Sequence, residues 1–316
     1  MIQRNDDNHK TKIAVTGANG FVGQALCSHL LNAGFLPVAI TRRPHHQAGA
    51  NNCIVSNFTD QTAMKNAMQG CTAAVILASR THSGTAATEQ NLQNYRRDNL
   101  ATAVSSFKAA NEAGVTRLIY LSSIKVNGES TSGIPFSATS KPKPEDAYGI
   151  TKLETELALR NLADNTGIEL TIIRPPLIYG AGVKGNLQKL ESAIKRGMPL
   201  PLASINNKRA LVSLNRLCDF IRVCLIHPKA ANRVFLVSDG VSRSISEIVE
   251  LLGNRLGRKP ILFPCPTTVL KLAGFLLGKK TLVSRLAGDL EVDISDTCRT
   301  LNWHPEAIDF SSELES

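Results

Sequence analysis

Ile13-Ala14-Val15-Thr16-Gly17-Ala18-Asn19-Gly20-Phe21-Val22-Gly23 is the stretch that decides the fold of this chain. An apolar run meets three glycines at intervals of three, and a helix-forming segment over 22–33 follows at once. Strand, glycine turn and helix start together present backbone N–H groups and the positive end of a helix to a pyrophosphate. Gly17 permits the tight turn, Gly20 lets the backbone approach the phosphates, and Gly23 lets the helix pack close to the strand. The stretch therefore predicts a dinucleotide site whose contacts run through Gly17, Asn19, Gly20, Phe21, Val22 and Gly23.

The rest of the first half repeats the alternation. Strand-like runs at 13–16, 36–41, 53–55, 73–78, 117–122 and 169–174 are separated by helical stretches at 22–33, 60–69, 91–113 and 147–166. Such βαβ units stack into a doubly wound parallel sheet with helices on both faces, an α/β fold. After Pro175-Pro176 the rhythm changes, with helices near 186–196, 215–227 and 245–256 and one strand at 233–237. This predicts a polar tail at 1–10, a dinucleotide-binding core over 11–175 that 212–238 rejoins, and a small discontinuous C-terminal lobe made of 176–211 and 239–316. The Ser-, Thr-, Lys- and Pro-rich stretch 128–144 reads as a long surface loop.

Composition narrows the function. The chain has 316 residues, 43% of them hydrophobic, enough for a full core of this kind, and a formal charge of +10 that suits anionic ligands. Lys and Arg are scattered and aromatics are only 5%, so no nucleic-acid partner is expected. The seven cysteines form no CxxC pair and read as reduced, mostly buried thiols. No HExxH or Cys/His cluster points to a metal. The polar start shows no secretory signal and no run reaches membrane-spanning length, so the reading is a cytoplasmic protein without a transmembrane segment. The apolar stretch 269–277, with Lys279, Lys280 and Arg285 nearby, either touches a membrane surface or packs in the C-terminal lobe.

A second constellation follows the long loop. Tyr148-Gly-Ile-Thr-Lys152 opens a helix, and four residues apart on a helix puts phenol and ammonium on one face. A nearby cation favours the phenolate, which makes the pair a proton donor or acceptor beside a hydride carrier. The fifth strand ends in Leu121-Ser122-Ser123, on the carboxyl side of the sheet where ligands of such folds bind.

These motifs, TGANGFVG at 16–23, LSSIKVNG at 121–128, YGITK at 148–152 and RPPLIYG at 174–180, resemble the extended short-chain dehydrogenase/reductase family, in its nucleotide-sugar epimerase, dehydratase and reductase branch. The resemblance covers most of the chain and implies a Rossmann-type core. It implies that Tyr148 is the catalytic acid/base, that Lys152 holds the cofactor ribose and lowers the tyrosine pKa, and that Ser123 hydrogen-bonds the reacting oxygen. Ser123 fits the family's spacing of five residues before a glycine, here Gly128, and Ser122 is the fallback. By the same resemblance Asn57 and Phe58 flank the adenine, although the family has an aspartate where Asn57 stands. Leu77, Ala78 and Ser79 lie near the ribose and diphosphate, Asn99 is on the cofactor side, Pro175 covers the nicotinamide, and Tyr179 stands near the substrate entrance. The bland alternative for Phe58 and Leu77 is core packing. Helices 91–113 and 147–166 could pair with their copies in a four-helix homodimer interface, as the family often does.

The second strand decides the cofactor. A carboxylate at its end accepts from the ribose hydroxyls of NAD, whereas arginine pairs with the extra phosphate of NADP. Here Arg42-Arg43 follow Thr41 and no acidic residue appears before Asp60, so NADP(H) is expected. The alternative is NAD(H), with an arginine stacked on adenine or turned to solvent. By the same resemblance, 182–186 and 206–212 sit where the branch binds the nucleoside diphosphate: Asn186 meets the sugar or diphosphate, Arg209 suits bidentate pairing with phosphate, and Lys184 and Lys208 add positive potential or are solvated surface residues. VKGN at 183–186 with NKRALV at 207–212 resembles both 4-reductases forming UDP-N-acetylquinovosamine and UDP-glucose 4-epimerases. Three readings follow: reduction of a 4-keto-6-deoxy-amino sugar nucleotide for surface polysaccharide, 4-epimerisation of UDP-glucose or UDP-N-acetylglucosamine, and, remotely, a non-catalytic cofactor sensor.

Overall fold

The computed structural model describes residues 10–80, 86–183, 185–276, 283, 286–306 and 310–313. Residues 1–9 of the polar tail, Lys184, Lys279, Lys280 and Arg285 lie outside them. The chain divides into two compact units.

The first unit takes Ser122 and all that precedes it, then 146–173 and 218–234. Its elements run β1 (Lys12–Thr16), α1 (Phe21–Asn32), β2 (Leu36–Thr41), β3 (Asn51–Ile54), α2 (Gln61–Met68), β4 (Ala73–Ile76), α3 (Glu89–Tyr95), α4 (Ala101–Glu112), β5 (Arg117–Leu121), α5 (Ala147–Thr166) and β6 (Glu169–Arg174). Later in the chain β9 (Arg233–Leu236) adds the edge strand of a seven-stranded sheet ordered β3-β2-β1-β4-β5-β6-β9. The β1–β6 pairings are parallel, with Val15 opposite Ala39 on one side and Val75 on the other. The strand order reverses direction between β1 and β4, and the crevice outside their carboxyl ends is where doubly wound sheets bind ligands.

Local chemistry explains the boundaries. Asp60 caps α2 by accepting from Ala63 N–H at 3.0 Å, and Asp146 caps α5 by accepting from Gly149 N–H at 2.8 Å. Gly167, at φ +76°, ends α5 in the left-handed conformation that glycine adopts without strain. The helix expected over 91–113 is interrupted: between α3 and α4, Arg96–Leu100 form a π turn. That wider turn holds Asn99 buried, with Oδ1 accepting from Arg80 N–H at 2.6 Å and Nδ2 donating to Arg80 O at 3.2 Å. The unit's core joins Ile40, Ala74, Ile76, Leu118 and Tyr120 of the sheet to Met64, Met68, Phe107 and Leu159 of the helices.

The second unit takes 123–145, 174–217 and 235–316. It contains β7 (Leu177–Tyr179), α6 (Asn186–Lys195), β8 (Arg209–Ser213), β10 (Ser242–Arg243), α8 (Ile245–Arg255) and α9 (Thr267–Leu276). Its three-stranded sheet runs β10-β8-β7, and α6 and α8 share a core with it through Leu187, Ile194, Leu211, Ile248 and Leu252. A capping box starts α8: Ser244 accepts from Glu247 N–H while Glu247 accepts from Ser244 N–H. The long stretch 128–144 is tied down within this unit, since Phe136 N–H donates to Glu291 O at 2.9 Å and Lys143 N–H to Val126 O at 3.0 Å. α7 (Leu214–Ile226) passes from the second unit into the first at Cys218.

Candidate active site

At the end of β1 the backbone is packed against the end of β4. Thr16 Oγ1 accepts from Leu77 N–H at 3.2 Å and Ala78 N–H at 3.3 Å, which fixes the two strand ends side by side. Gly17 has φ +71°, and a Cβ there would come within 3.0 Å of Ala78 backbone atoms. A Cβ on Gly23 would sit 2.3 Å from Gly17 O and 2.7 Å from Ala18 Cα, so the first turn of α1 lies directly on the glycine loop. Gly20 is the N-cap of α1 and contributes no capping side chain, and the first turn carries no acidic residue. The result is a helix start with backbone N–H groups and positive potential beside a narrow loop, and these residues fit a dinucleotide diphosphate. Asn19 and Gly20 are exposed at the loop tip, with Phe21 and Val22 half-buried behind it.

Around this turn the other cofactor candidates fall at strand ends of the same unit. Arg42 and Arg43 are exposed after β2, and the Arg42 guanidinium stands over the Phe58 ring at 5.4 Å. Phe58 is buried and belongs to the core cluster, whereas Asn57 is exposed and accepts from Thr59 N–H at 3.2 Å. Asp60, the first carboxylate after β2, is engaged as the α2 cap. Beyond β4, Leu77 and Ser79 are half-buried and Ala78 is buried, held by Thr16 and by Asn99 through Arg80.

The Tyr148–Lys152 pair lies on α5. Tyr148 is half-buried in the first turn, its ring edge-on to Tyr95 at 6.0 Å. Lys152 is 2% exposed; its Nζ donates to Leu121 O at 2.8 Å and lies 5.7 Å from the centre of the Tyr148 ring. Burial pushes the Lys152 ammonium down to about 7, opposed by the negative charge of Glu156. Glu156, one turn further along α5 and buried, accepts from Ser122 Oγ at 2.5 Å. The Ser122 hydroxyl is therefore committed inside the unit.

In the second unit, Ser123 is half-buried and caps a short 3₁₀ turn, Ile124–Val126, by accepting from Lys125 N–H at 3.3 Å. Pro175 O accepts from Ile124 N–H at 2.9 Å, and buried Arg174 donates to Asn127 Oδ1 at 3.1 Å. Asn186 is exposed at the start of α6, and Arg209 donates to Gly288 O at 3.2 Å. Tyr179 is 2% exposed, stacked on Phe310 at 4.3 Å and hydrogen-bonded to Asp239. With Arg216, Asp239 and Arg243 it walls a cavity of about 510 Å³. Burial and the carboxylate of Asp239 push its phenol pKa upward. Packing and a buried hydrogen bond hold this side chain in place. Among the described residues no group of three or more His, Cys, Asp or Glu side chains could hold a metal ion, and the seven cysteines are free thiols.

The profile of the NAD dependent epimerase/dehydratase family matches residues 13–237. The chain belongs to this family. A UDP-glucose 4-epimerase of Vibrio cholerae is 41% identical over 296 residues, 93% of this chain and 90% of that protein. The dTDP-4-dehydro-6-deoxyglucose reductase of Escherichia coli is 22% identical over 321 residues, 96% of this chain and 95% of that one. In fold, the UDP-N-acetylglucosamine 4-epimerase from Bacillus cereus matches with a TM-score of 0.77 at 19% identity, covering 97% of this chain and 94% of the other. Membership in the family agrees with the extended short-chain dehydrogenase/reductase resemblance and its nucleotide-sugar branch.

Within this epimerase/dehydratase core, three structural contributors carry no motif of their own in the sequence reading. Thr16 opens the glycine motif without a role of its own there, yet its hydroxyl joins β1 to the chain after β4. Glu156 completes a Tyr148, Lys152, Glu156 ladder at i, i+4 and i+8, a helical spacing that marks it as a same-face neighbour. Tyr95 has no comparable signal, because its contact with Tyr148 depends on how α3 packs against α5.

Proposed function

We propose that this family member catalyses NAD(P)-dependent 4-epimerisation of a UDP-sugar. The observation that carries the reading is the buried Lys152 ammonium beside Tyr148, in the same unit as the glycine turn. Tyr148 takes the proton from the C4 hydroxyl as the C4 hydrogen leaves with its electron pair, and gives the proton back when the hydride returns to the opposite face. A nicotinamide dinucleotide held at the Gly17–Gly23 turn would supply the hydride acceptor and donor for this chemistry. Lys152 stabilises the phenolate, Ser123 donates to the C4 oxygen, and Asn186 and Arg209 hold the sugar and diphosphate. The 41% identical relative bears the name of an epimerase, which supports this reading ahead of the net reduction that the sequence analysis placed first.

Net reduction of a 4-keto-6-deoxy sugar nucleotide is the second reading, and one observation favours it. Arg42 and Arg43 follow β2 where an NAD site normally has a carboxylate, and Asp60 is occupied as a helix cap. In that reading Tyr148 protonates the C4 oxygen as the carbonyl is reduced, and Arg42 and Arg43 would hold an NADPH whose chemistry is hydride donation. Incubating the purified protein with UDP-glucose, UDP-N-acetylglucosamine and a UDP-4-keto-6-deoxy sugar, with product identity and NADPH absorbance followed together, separates the two. Inversion at C4 of either of the first two, without loss of cofactor, supports the epimerase. Consumption of NADPH matched to the keto sugar alone supports the reductase, and Arg42→Ala should then reduce the NADPH over NADH preference about tenfold or more.

A further inference from the structure

Most surface helices turn their apolar stripe inward; α9 does the reverse. It joins the core of the second unit through Leu270. At about 100° per residue, Val269, Leu272, Phe275 and Leu276 fall within an arc of about 120° on the side opposite Leu270. Those four side chains are between 52% and 74% exposed, and the approach to the helix adds Ile261 at 54% and Phe263 at 41%. Isolated exposed leucines are ordinary, but a contiguous apolar face on one helix marks an interaction surface.

Charge says what covers it. From Gly257 to Gly288 the sequence has no Asp or Glu, while it holds Arg258, Lys259, Lys271, Lys279, Lys280 and Arg285. The last four enter as composition only, and even Arg258 and Lys259 leave the described part of the stretch purely cationic. The whole chain carries a formal charge of +10. A second copy of this face would bring like charges together, whereas anionic headgroups match both the cations and the apolar side chains between them.

We propose that α9 docks in the plane of an anionic lipid surface, with Val269, Leu272, Phe275 and Leu276 in the boundary between headgroups and acyl chains. The described part of the helix, ten residues, is about 15 Å long, half the thickness of a bilayer core, and the proposed docking is in the plane of the surface rather than across it. Among the described residues no helix is long and apolar enough to span. The docking does not depend on which sugar reaction the protein catalyses.

Co-sedimentation of the full chain with vesicles tests it. The protein should sediment with vesicles of phosphatidylglycerol and phosphatidylethanolamine, stay in solution with phosphatidylcholine alone, and be released from the anionic vesicles by added salt. The double variant L272E/F275E should need at least about tenfold more lipid for half-sedimentation, and so should R258E/K259E. Thermal melting and NADPH titration of both variants should match the parent, which excludes misfolding as the cause. Failure of the parent to sediment with anionic vesicles overturns the proposal, as does equal sedimentation of L272E/F275E. A parent that ignores lipid but forms a dimer dispersed by L272E/F275E would also overturn it, in favour of a second copy as the occupant.

Discussion

Lys152 and Tyr148 stand one helical turn apart on α5, with the lysine nitrogen 5.7 Å from the centre of the phenol ring and anchored on Leu121 O at 2.8 Å. The anchor holds the nitrogen in place, so a charge there acts on the phenol from a fixed position. Removing the phenolic oxygen while keeping the ring leaves the edge-on contact with Tyr95 available. Tyr148→Phe should therefore bind NADPH as the parent does and lose about 10²- to 10⁴-fold in turnover, the usual worth of a positioned acid/base. Fluorescence titration and product assays read the two quantities separately. Full activity in the variant would remove Tyr148 from the mechanism.

The lysine itself sets a pH dependence of stability. Burial lowers its pKa from 10.5 to about 7, so between those values the unfolded chain binds more protons at this residue than the folded one. Its contribution to stability rises with pH across that window, by at most about 1.4 kcal/mol per pH unit, and the full penalty of the buried ammonium is present below it. Lys152→Met removes this slope. The melting temperature of the variant minus that of the parent should be nearly flat below about pH 7 and fall steadily from there to pH 9, where other groups titrate alike in both. A difference that is flat or grows with pH would contradict a buried lysine of lowered pKa.

The two serines after β5 separate a structural hydroxyl from a candidate catalytic one. Ser122 donates to the buried Glu156 carboxylate, so Ser122→Ala leaves that acceptor short of a donor and should cost about 1–3 kcal/mol in urea unfolding. Ser123 is more exposed and caps only a short turn, so Ser123→Ala should stay within about 0.5 kcal/mol of the parent while losing about tenfold or more in turnover. The opposite pattern, with Ser123→Ala fully active and Ser122→Ala stable but inactive, would exchange their roles.

The parts of this molecule that local chemistry dictates were legible in the sequence. The glycine turn, the alternating strands and the Tyr148–Lys152 spacing each follow from the residues' own geometry, and the doubly wound parallel sheet follows from their alternation, whereas the strand order with its reversal between β1 and β4 emerges only in the folded chain. What escaped was tertiary. The π turn at Arg96–Leu100 has no composition signal, and its consequence, Asn99 clasping Arg80, joins residues 19 apart. Phe58 illustrates an ambiguity that only packing resolves, because its ring fills the core and also carries Arg42 on one face. The stacking of Tyr179 on Phe310 is tertiary in the same way, because it depends on a segment 131 residues further along.

Gly23 and Gly34 offer a contrast between crowding and backbone strain. A Cβ at Gly23 would meet Gly17 O at 2.3 Å and Ala18 Cα at 2.7 Å, both backbone atoms that cannot rotate away. Gly34 has φ +85° and open space around it, so alanine there meets only the left-handed backbone penalty of about 1–2 kcal/mol. Gly23→Ala should lose about 1–3 kcal/mol through overpacking, a comparable amount. Dinucleotide binding tells them apart: Gly23→Ala must push the glycine loop away from α1 and should weaken NADPH binding about tenfold or more, whereas Gly34→Ala should leave it unchanged. Equal affinity in both variants would show that the close contact of loop and helix is not what shapes the phosphate site.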